Sequence, residues 1–179
     1  EQLATDGAPP LDIRWRAFEL RPAGSPPMPP EYRARIEAFR PQLLQIARER
    51  YNREINQGPS GINSRPALVG AKYAEAQGAG PAYHNAVMRA YWQQARDISD
   101  PSVLVELAAA AGLEPAGFLT ALADPAYDAA VQQDIDLARQ YGLNGVPALV
   151  FANRYLLSGA QPVDVLRRVV AQIADEAMG

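Results

Sequence analysis

The 179 residues carry 17 Lys and Arg against 20 Asp and Glu, a net charge of −3, and no basic run, so nucleic acid and anionic membranes are not indicated as partners. A hydrophobic content of 48% without an apolar run near the roughly 18–20 residues of a membrane span points to a globular chain with its own core. With 1 histidine and 0 cysteines, the usual ligand sets for zinc, iron–sulfur clusters and haem cannot be assembled from these residues, and no thiol chemistry can occur within them. We therefore expect no metal site and no cofactor.

Glu1-Gln2-Leu3-Ala4 reads as the last turn of a helix ending at the Asp6-Gly7 break, and it has the pattern of neither a signal peptide nor a targeting sequence. From Leu11 to Leu20, residues Leu11, Ile13, Trp15 and Ala17 alternate with Asp12, Arg14 and Arg16, which predicts a strand. Arg21 to Pro30 is a proline-rich linker. A helix is expected over Glu31–Phe39, and a second one opened by Pro41, with Leu44, Ala47, Tyr51 and Ile55 on one face and Gly58 as its stop. Ser64 and Pro66 start the next helix and Gly78 ends it.

Further helices follow the same grammar. Asp100 is an N-cap with Pro101 in the first turn, Leu104, Leu107, Ala108 and Ala111 share a face, and Gly112 is the stop. Asp124-Pro125 repeats the device, leading through Tyr127, Val131, Ile135 and Ala138 to Gly142. Tyr91 and Trp92 recur with Val87, Met88 and Ala95 at helical spacing, which suits a core more than a substrate groove. His84 has no second ligand or nucleophile at a recognisable spacing and reads as a surface or helix-packing residue. Asp134 and Asp136 lie two apart on a helix and point to different faces.

The densest signal is at the end. Ala148 to Ala152 is a short run of β formers, Asn153-Arg154 is a polar tip, and Tyr155 to Leu157 returns as a second strand. Gly159 breaks the strand, Pro162 opens a helix, and Val163, Leu166, Val169, Val170 and Ile173 recur at helical spacing. Gly145-Val146-Pro147 leads into this hairpin.

Gly145-Val146-Pro147 entering a hairpin, followed by Ser158-Gly159-Ala160-Gln161-Pro162 and an amphipathic helix, resembles the C-terminal half of a thioredoxin fold of the DsbA-like, FrnE-type oxidoreductases. Two further blocks carry the same likeness: Trp15 to Pro22, similar to a strand of that family, and Ala90 to Leu113, similar to its helical insertion. The resemblance spans roughly Leu11 to Ala171 and implies an α/β, thioredoxin-like fold with a large all-helical insertion. It divides the chain into a thioredoxin-like domain over 1–30 and 143–179 and an inserted helical domain over 31–142.

The functional implications follow from the resemblance alone. A thiol–disulfide oxidoreductase is implied, acting on an extended peptide or a small disulfide or dithiol in the cytoplasm, with a homodimer left open. In the family the proline matching Pro147 is cis and faces a Cys-x-x-Cys, and the residue before it offers its backbone to a substrate strand, so Gly145, Val146 and Pro147 are the expected substrate contacts. No catalytic residue lies within these 179 residues; the Cys-x-x-Cys, with its strand and helix, is expected upstream of Glu1, and the absent strand is expected between Leu11–Leu20 and the hairpin. Glu19 falls on the Trp15 face, where it is either a carboxylate passing protons to a cysteine or a strand-end residue in solvent. Two alternatives remain: a glutathione-dependent isomerase of the kappa-class transferase and hydroxychromene carboxylate isomerase type, and a redox-dead module that binds extended peptides, which the lack of cysteine favours.

Overall fold

The computed structural model describes residues 11–178; the expected helix turn at Glu1 to Ala4 and the Asp6-Gly7 break lie outside them. The chain divides into two compact units, one formed by Glu1–Leu20 with Asp134–Gly179 and the other by Arg21–Gln133.

The second unit is helical. It holds α1 (Pro30–Tyr51), α2 (Arg65–Ala76), α3 (Gly80–Gln93), α4 (Pro101–Ala110), α5 (Pro115–Ala121) and the start of α6 (Pro125–Gln140). Each of these helices has proline at its first or second position, where the missing N–H costs no intrahelical bond and the fixed φ is already helical. Asp100 caps α4 through the Ser102 N–H at 2.8 Å, and Asp124 caps α6 through the Ala126 N–H at 2.8 Å. At α2 the cap is displaced by one residue: Asn63, not Ser64, accepts the Arg65 N–H at 3.0 Å.

The core of this unit is built from α2, α3, α4 and α5, which pack on one another around fully buried Tyr83, Leu104 and Phe118. Fully buried Ala74, Ala90 and Ala108 let the helix backbones approach closely. The rings meet edge-on or tilted, Tyr73 to Phe118 at 5.9 Å and Tyr83 to Phe118 at 5.4 Å between centroids. Gly70 is required by this cluster, since a Cβ there would lie 2.5 Å from the Tyr83 Oη and 2.6 Å from the Phe118 Cζ. Gly58 is buried for a similar reason, with Tyr91 Cδ2 2.8 Å from where its Cβ would be.

Three expectations are corrected here. The two helices expected over 31–39 and from Pro41 are one helix, α1, with Pro41 inside it. Pro41 is solvent-exposed, so the carbonyl that loses its N–H partner can bond to water, and the flanking helix continues. That helix ends at Asn52, whose φ of 49° is left-handed, so Ile55 lies beyond it. Finally α5 was not foreseen: Glu114 acts as its N-cap, accepting the Ala116 N–H at 2.9 Å and the Gly117 N–H at 2.5 Å.

The first unit contains the end of α6, an antiparallel pair β1 (Ala148–Phe151) and β2 (Tyr155–Ser158), and α7 (Val163–Met178). Ala148 faces Ser158 and Phe151 faces Tyr155, so the tip is three residues, Ala152 to Arg154, and not two. Ala152 and Asn153 have φ of 50° and 55°, and the Arg154 N–H donates to the Phe151 carbonyl at 2.9 Å. The tip is tied to α7: the Tyr155 hydroxyl donates to Glu176 at 2.6 Å, Gln172 donates to the same carboxylate at 3.1 Å, and Arg154 pairs with it at 3.2 Å. These bonds hold the Glu176 carboxyl below the usual carboxylate range, first through the Tyr155 hydroxyl.

The strand expected over Leu11–Leu20 is not formed. Among the described residues the sheet contains only β1 and β2, and no ladder bond joins 11–20 to either. An alternating pattern becomes a strand only where a neighbouring strand receives its N–H and C=O groups. Here the buried Ala17 N–H donates instead to the Asp134 Oδ2 on α6 at 2.8 Å, while Ile13 and Trp15, on the face expected to be buried, are 58% and 54% exposed.

Candidate functional site

Gly142, with φ of 69°, ends α6 in a left-handed turn closed by the Leu143 N–H on the Ala138 carbonyl at 2.9 Å. The chain then runs through Asn144 and Gly145 to Val146–Pro147, whose peptide bond is cis, the isomer that the family resemblance implies. Pro147 immediately precedes β1, where its lack of an N–H removes nothing from the ladder. Its carbonyl accepts the Gly159 N–H at 2.8 Å, which continues the β1–β2 register one pair beyond Ala148 and Ser158. Gly159 itself has φ of 79°, and the Gln161 side-chain amide closes the turn by donating to the Ser158 carbonyl at 2.7 Å.

The structure therefore brings two of the segments singled out in the sequence, Gly145 to Pro147 and Ser158 to Gln161, side by side. Val146 is 56% exposed and Pro147 is exposed, so the loop faces solvent and not the underside of a helix. Among the described residues, no backbone hydrogen bond engages the Val146 N–H or C=O. An exposed backbone unit beside the end of a strand is a template on which an extended chain can pair. Leu156 on β2, 43% exposed, adds apolar surface on the outward face of the hairpin.

Glu19 is half-buried in the 11–20 segment. That segment is anchored by Asp134, a residue set aside in the sequence as one of two unrelated acids. Asp134 is 4% exposed and accepts both the Ala17 N–H and the Arg16 Nη1, the latter at 2.9 Å. The signal that marks it is a charged side chain set within the buried stripe Val131, Ile135 and Ala138 of α6, where a carboxylate is retained only with partners. Asp136 instead faces solvent and pairs with Arg139 at 2.8 Å, so the two acids do point apart.

Residues of the helical unit supply no second site. Tyr91 and Trp92 are half-buried, and the Tyr91 hydroxyl accepts from Gln57 at 3.0 Å and donates to the Pro59 carbonyl at 3.3 Å, a packing role. His84 is half-buried, and burial lowers its pKa against the opposing pull of Glu75. Among the described residues, no group of three acids or histidines is placed to hold a metal ion, and no helix is long and apolar enough to cross a membrane.

This arrangement has clear relatives. The chain is 26% identical over 166 residues to the uncharacterised protein YwbO of Bacillus subtilis (strain 168), a match covering 90% of this chain and 82% of that one. The crystal structure of a probable DsbA oxidoreductase from Streptomyces coelicolor matches with a TM-score of 0.75 at 29% identity, over 90% of this chain and 74% of that chain. A 2-hydroxychromene-2-carboxylate isomerase shares the fold with a TM-score of 0.81 at 21% identity, over 99% of this chain and 87% of the isomerase. The family model for the DSBA-like thioredoxin domain matches residues 2–171, so the chain belongs to the DSBA-like thioredoxin domain family, with an α/β fold that carries a helical insertion.

Proposed function

We propose that this protein is a thiol–disulfide oxidoreductase of the FrnE type, working in the cytoplasm, whose Cys-x-x-Cys is encoded ahead of Glu1. The observation that carries this reading is the exposed cis Val146–Pro147 loop at the head of β1, with an unengaged Val146 backbone beside it. The family membership and the printed description of the Streptomyces coelicolor relative support it.

In this reading a thiolate of the pair attacks one sulfur of a substrate disulfide. A mixed disulfide forms, and the other substrate sulfur leaves as a thiolate that takes up a proton. The second cysteine then attacks the mixed disulfide, releasing the reduced substrate and leaving the pair oxidised. Gly145, Val146 and Pro147 hold the substrate strand during both attacks, Val146 by pairing its backbone with it. In this reading Glu19 is the carboxylate that exchanges protons with the pair.

A second reading is favoured by the extent of the match to the isomerase, which leaves almost none of this chain uncovered. There the upstream residue is a serine, the cofactor-like thiol is glutathione, and no disulfide exchange occurs. A third, a peptide-binding module without redox chemistry, is favoured by the count of 0 cysteines.

The test begins with the codons preceding Glu1. The polypeptide they extend is assayed for reduction of insulin by dithiothreitol and for binding of glutathione. We expect a Cys-x-x-Cys, accelerated reduction, loss of that acceleration on changing its first cysteine to serine, and a marked fall with Pro147→Ala. A serine with glutathione binding and no acceleration would move the assignment to the isomerase, and neither motif would move it to the binding module.

A further inference from the structure

Helix α1 is 22 residues long and exposed along most of its length, Ala47 being its buried residue. A helix of this kind in water draws most of its stability from packing an apolar face, not from propensity. It has such a face. Tyr32, Ile36, Phe39 and Leu43 are 52%, 48%, 52% and 38% exposed, and their spacing of four, three and four residues is that of a coiled-coil seam, which half-buried Ile46 prolongs. Pro41 sits on the opposite side of the helix wheel, so it does not interrupt the seam.

We propose that this seam is a homodimer interface, in which α1 packs antiparallel against α1 of a second copy about a two-fold axis level with residue 41. In that register Ile36 faces Ile46 of the second copy, Phe39 faces Leu43, and the Tyr32 ring faces the Arg50 guanidinium. Charge decides the direction. On one flank of the seam the antiparallel arrangement sets Arg35 against Glu49 of the second copy, twice by symmetry, and Gln42 against Gln42. The other flank places Arg33 beside Ala47 and leaves one like-charged pair, Arg40 with Arg40, at the axis. A parallel arrangement would oppose Arg35 and Arg40 twice and provide no attraction between those flanks.

The area is sufficient. With large aromatic side chains covering about 150–250 Å² each, the exposed parts of the four seam residues amount to roughly 350–400 Å² per copy. Two copies, with the stems of the flanking Arg and Gln, reach the order of 1,000 Å² that separates specific interfaces from incidental ones. The contact is isologous, each copy using the same surface, as closed two-fold dimers do.

Sedimentation velocity on the full protein, over roughly a hundredfold range of concentration, should show a reversible dimer. Phe39→Glu should raise its dissociation constant by about tenfold or more, since a charge then enters the middle of the seam. The thermal transition of the monomer should move little, because Phe39 is already 52% exposed. Glu49→Arg alone should weaken the dimer about threefold, and Arg35→Glu combined with Glu49→Arg should restore it. A monomer throughout that range would overturn the proposal, whatever else covers the seam. So would a dimer that survives Phe39→Glu, or a charge-swapped pair no tighter than Glu49→Arg alone.

Discussion

Asp134→Ala should destabilise the first unit, and the size of the effect can be built from the contacts. The Ala17 N–H lies in a residue 5% exposed, and Asp134 Oδ2 is its acceptor at 2.8 Å. Removing that acceptor leaves a buried donor unsatisfied, at about 1–3 kcal/mol. The Arg16 contact adds less, because the Arg16 side chain is 54% exposed and returns to water when its partner goes, so we allow roughly 0.5–1 kcal/mol. Against both stands the cost of keeping a carboxylate that is 4% exposed out of water, which the substitution removes. The balance is a loss of about 1–3 kcal/mol, or a fall in Tm of about 2–12 °C for a chain of this size. Asp134→Asn keeps a carbonyl oxygen for the Ala17 N–H and should cost roughly 1 kcal/mol. The protein has 2 tryptophans, Trp15 within the anchored segment and Trp92 in the helical unit, so urea unfolding followed by fluorescence in a Trp92→Phe background reads the first unit alone. If alanine costs under about 0.5 kcal/mol, or the same as asparagine, the buried amide bond is not what anchors residues 11–20.

The remaining predictions use the same measurements. Among the described residues the Tyr83 hydroxyl is buried without a hydrogen-bond partner, so Tyr83→Phe should stabilise the helical unit by about 1 kcal/mol in urea unfolding. Gly70→Ala should destabilise it by about 1–3 kcal/mol through overpacking, and by less in the Tyr83→Phe background, where the atom nearest the new methyl is gone. Ala152 holds a left-handed φ of 50° at the hairpin tip, where Ala152→Gly should raise stability by about 1 kcal/mol. Asp128 has its pKa lowered, first by the Arg65 bond, so its folded value lies below the unfolded 3.8. The stability it contributes is therefore present above that pH and lost as the pH falls through the folded value; the difference between the parent and Asp128→Asn should close below about pH 4 in acid titrations of unfolding.

What could be read from the sequence separates by the distance over which each feature is decided. The caps at Asp100 and Asp124, the stops at Gly112 and Gly142 and the hairpin around Asn153 depend on partners within a few residues, and each is where its local chemistry places it. Asp134 and Ala17 are 117 positions apart, and no local rule connects them. Residues 11–20 were misread for the same reason, since alternation describes one segment while a strand is a property of two. The error at Pro41 was of another kind: the rule that proline ends a helix assumes that the orphaned carbonyl has no water, and α1 is exposed there. With α5 the signal was present in Glu114-Pro115, but glutamate is not among the usual capping residues.

This also bears on why a search for catalytic motifs finds nothing while the candidate site stands out. The atoms that matter at Gly145 to Pro147 are backbone atoms: a cis peptide, a Pro147 carbonyl held by the Gly159 N–H, and the backbone of the exposed Val146, which among the described residues no backbone hydrogen bond engages. Side-chain motifs identify chemistry carried by side chains, and here the side chains present are glycine, valine and proline. Their contribution is to choose a backbone path. Gly142 reverses the chain at the end of α6, Pro147 enters β1 without needing a donor, and Gly159 adopts the φ that brings its N–H onto the Pro147 carbonyl. A binding surface made in this way tolerates change at Val146, whose side chain points outward, far more readily than at Pro147 or Gly159, where substitution alters the path itself.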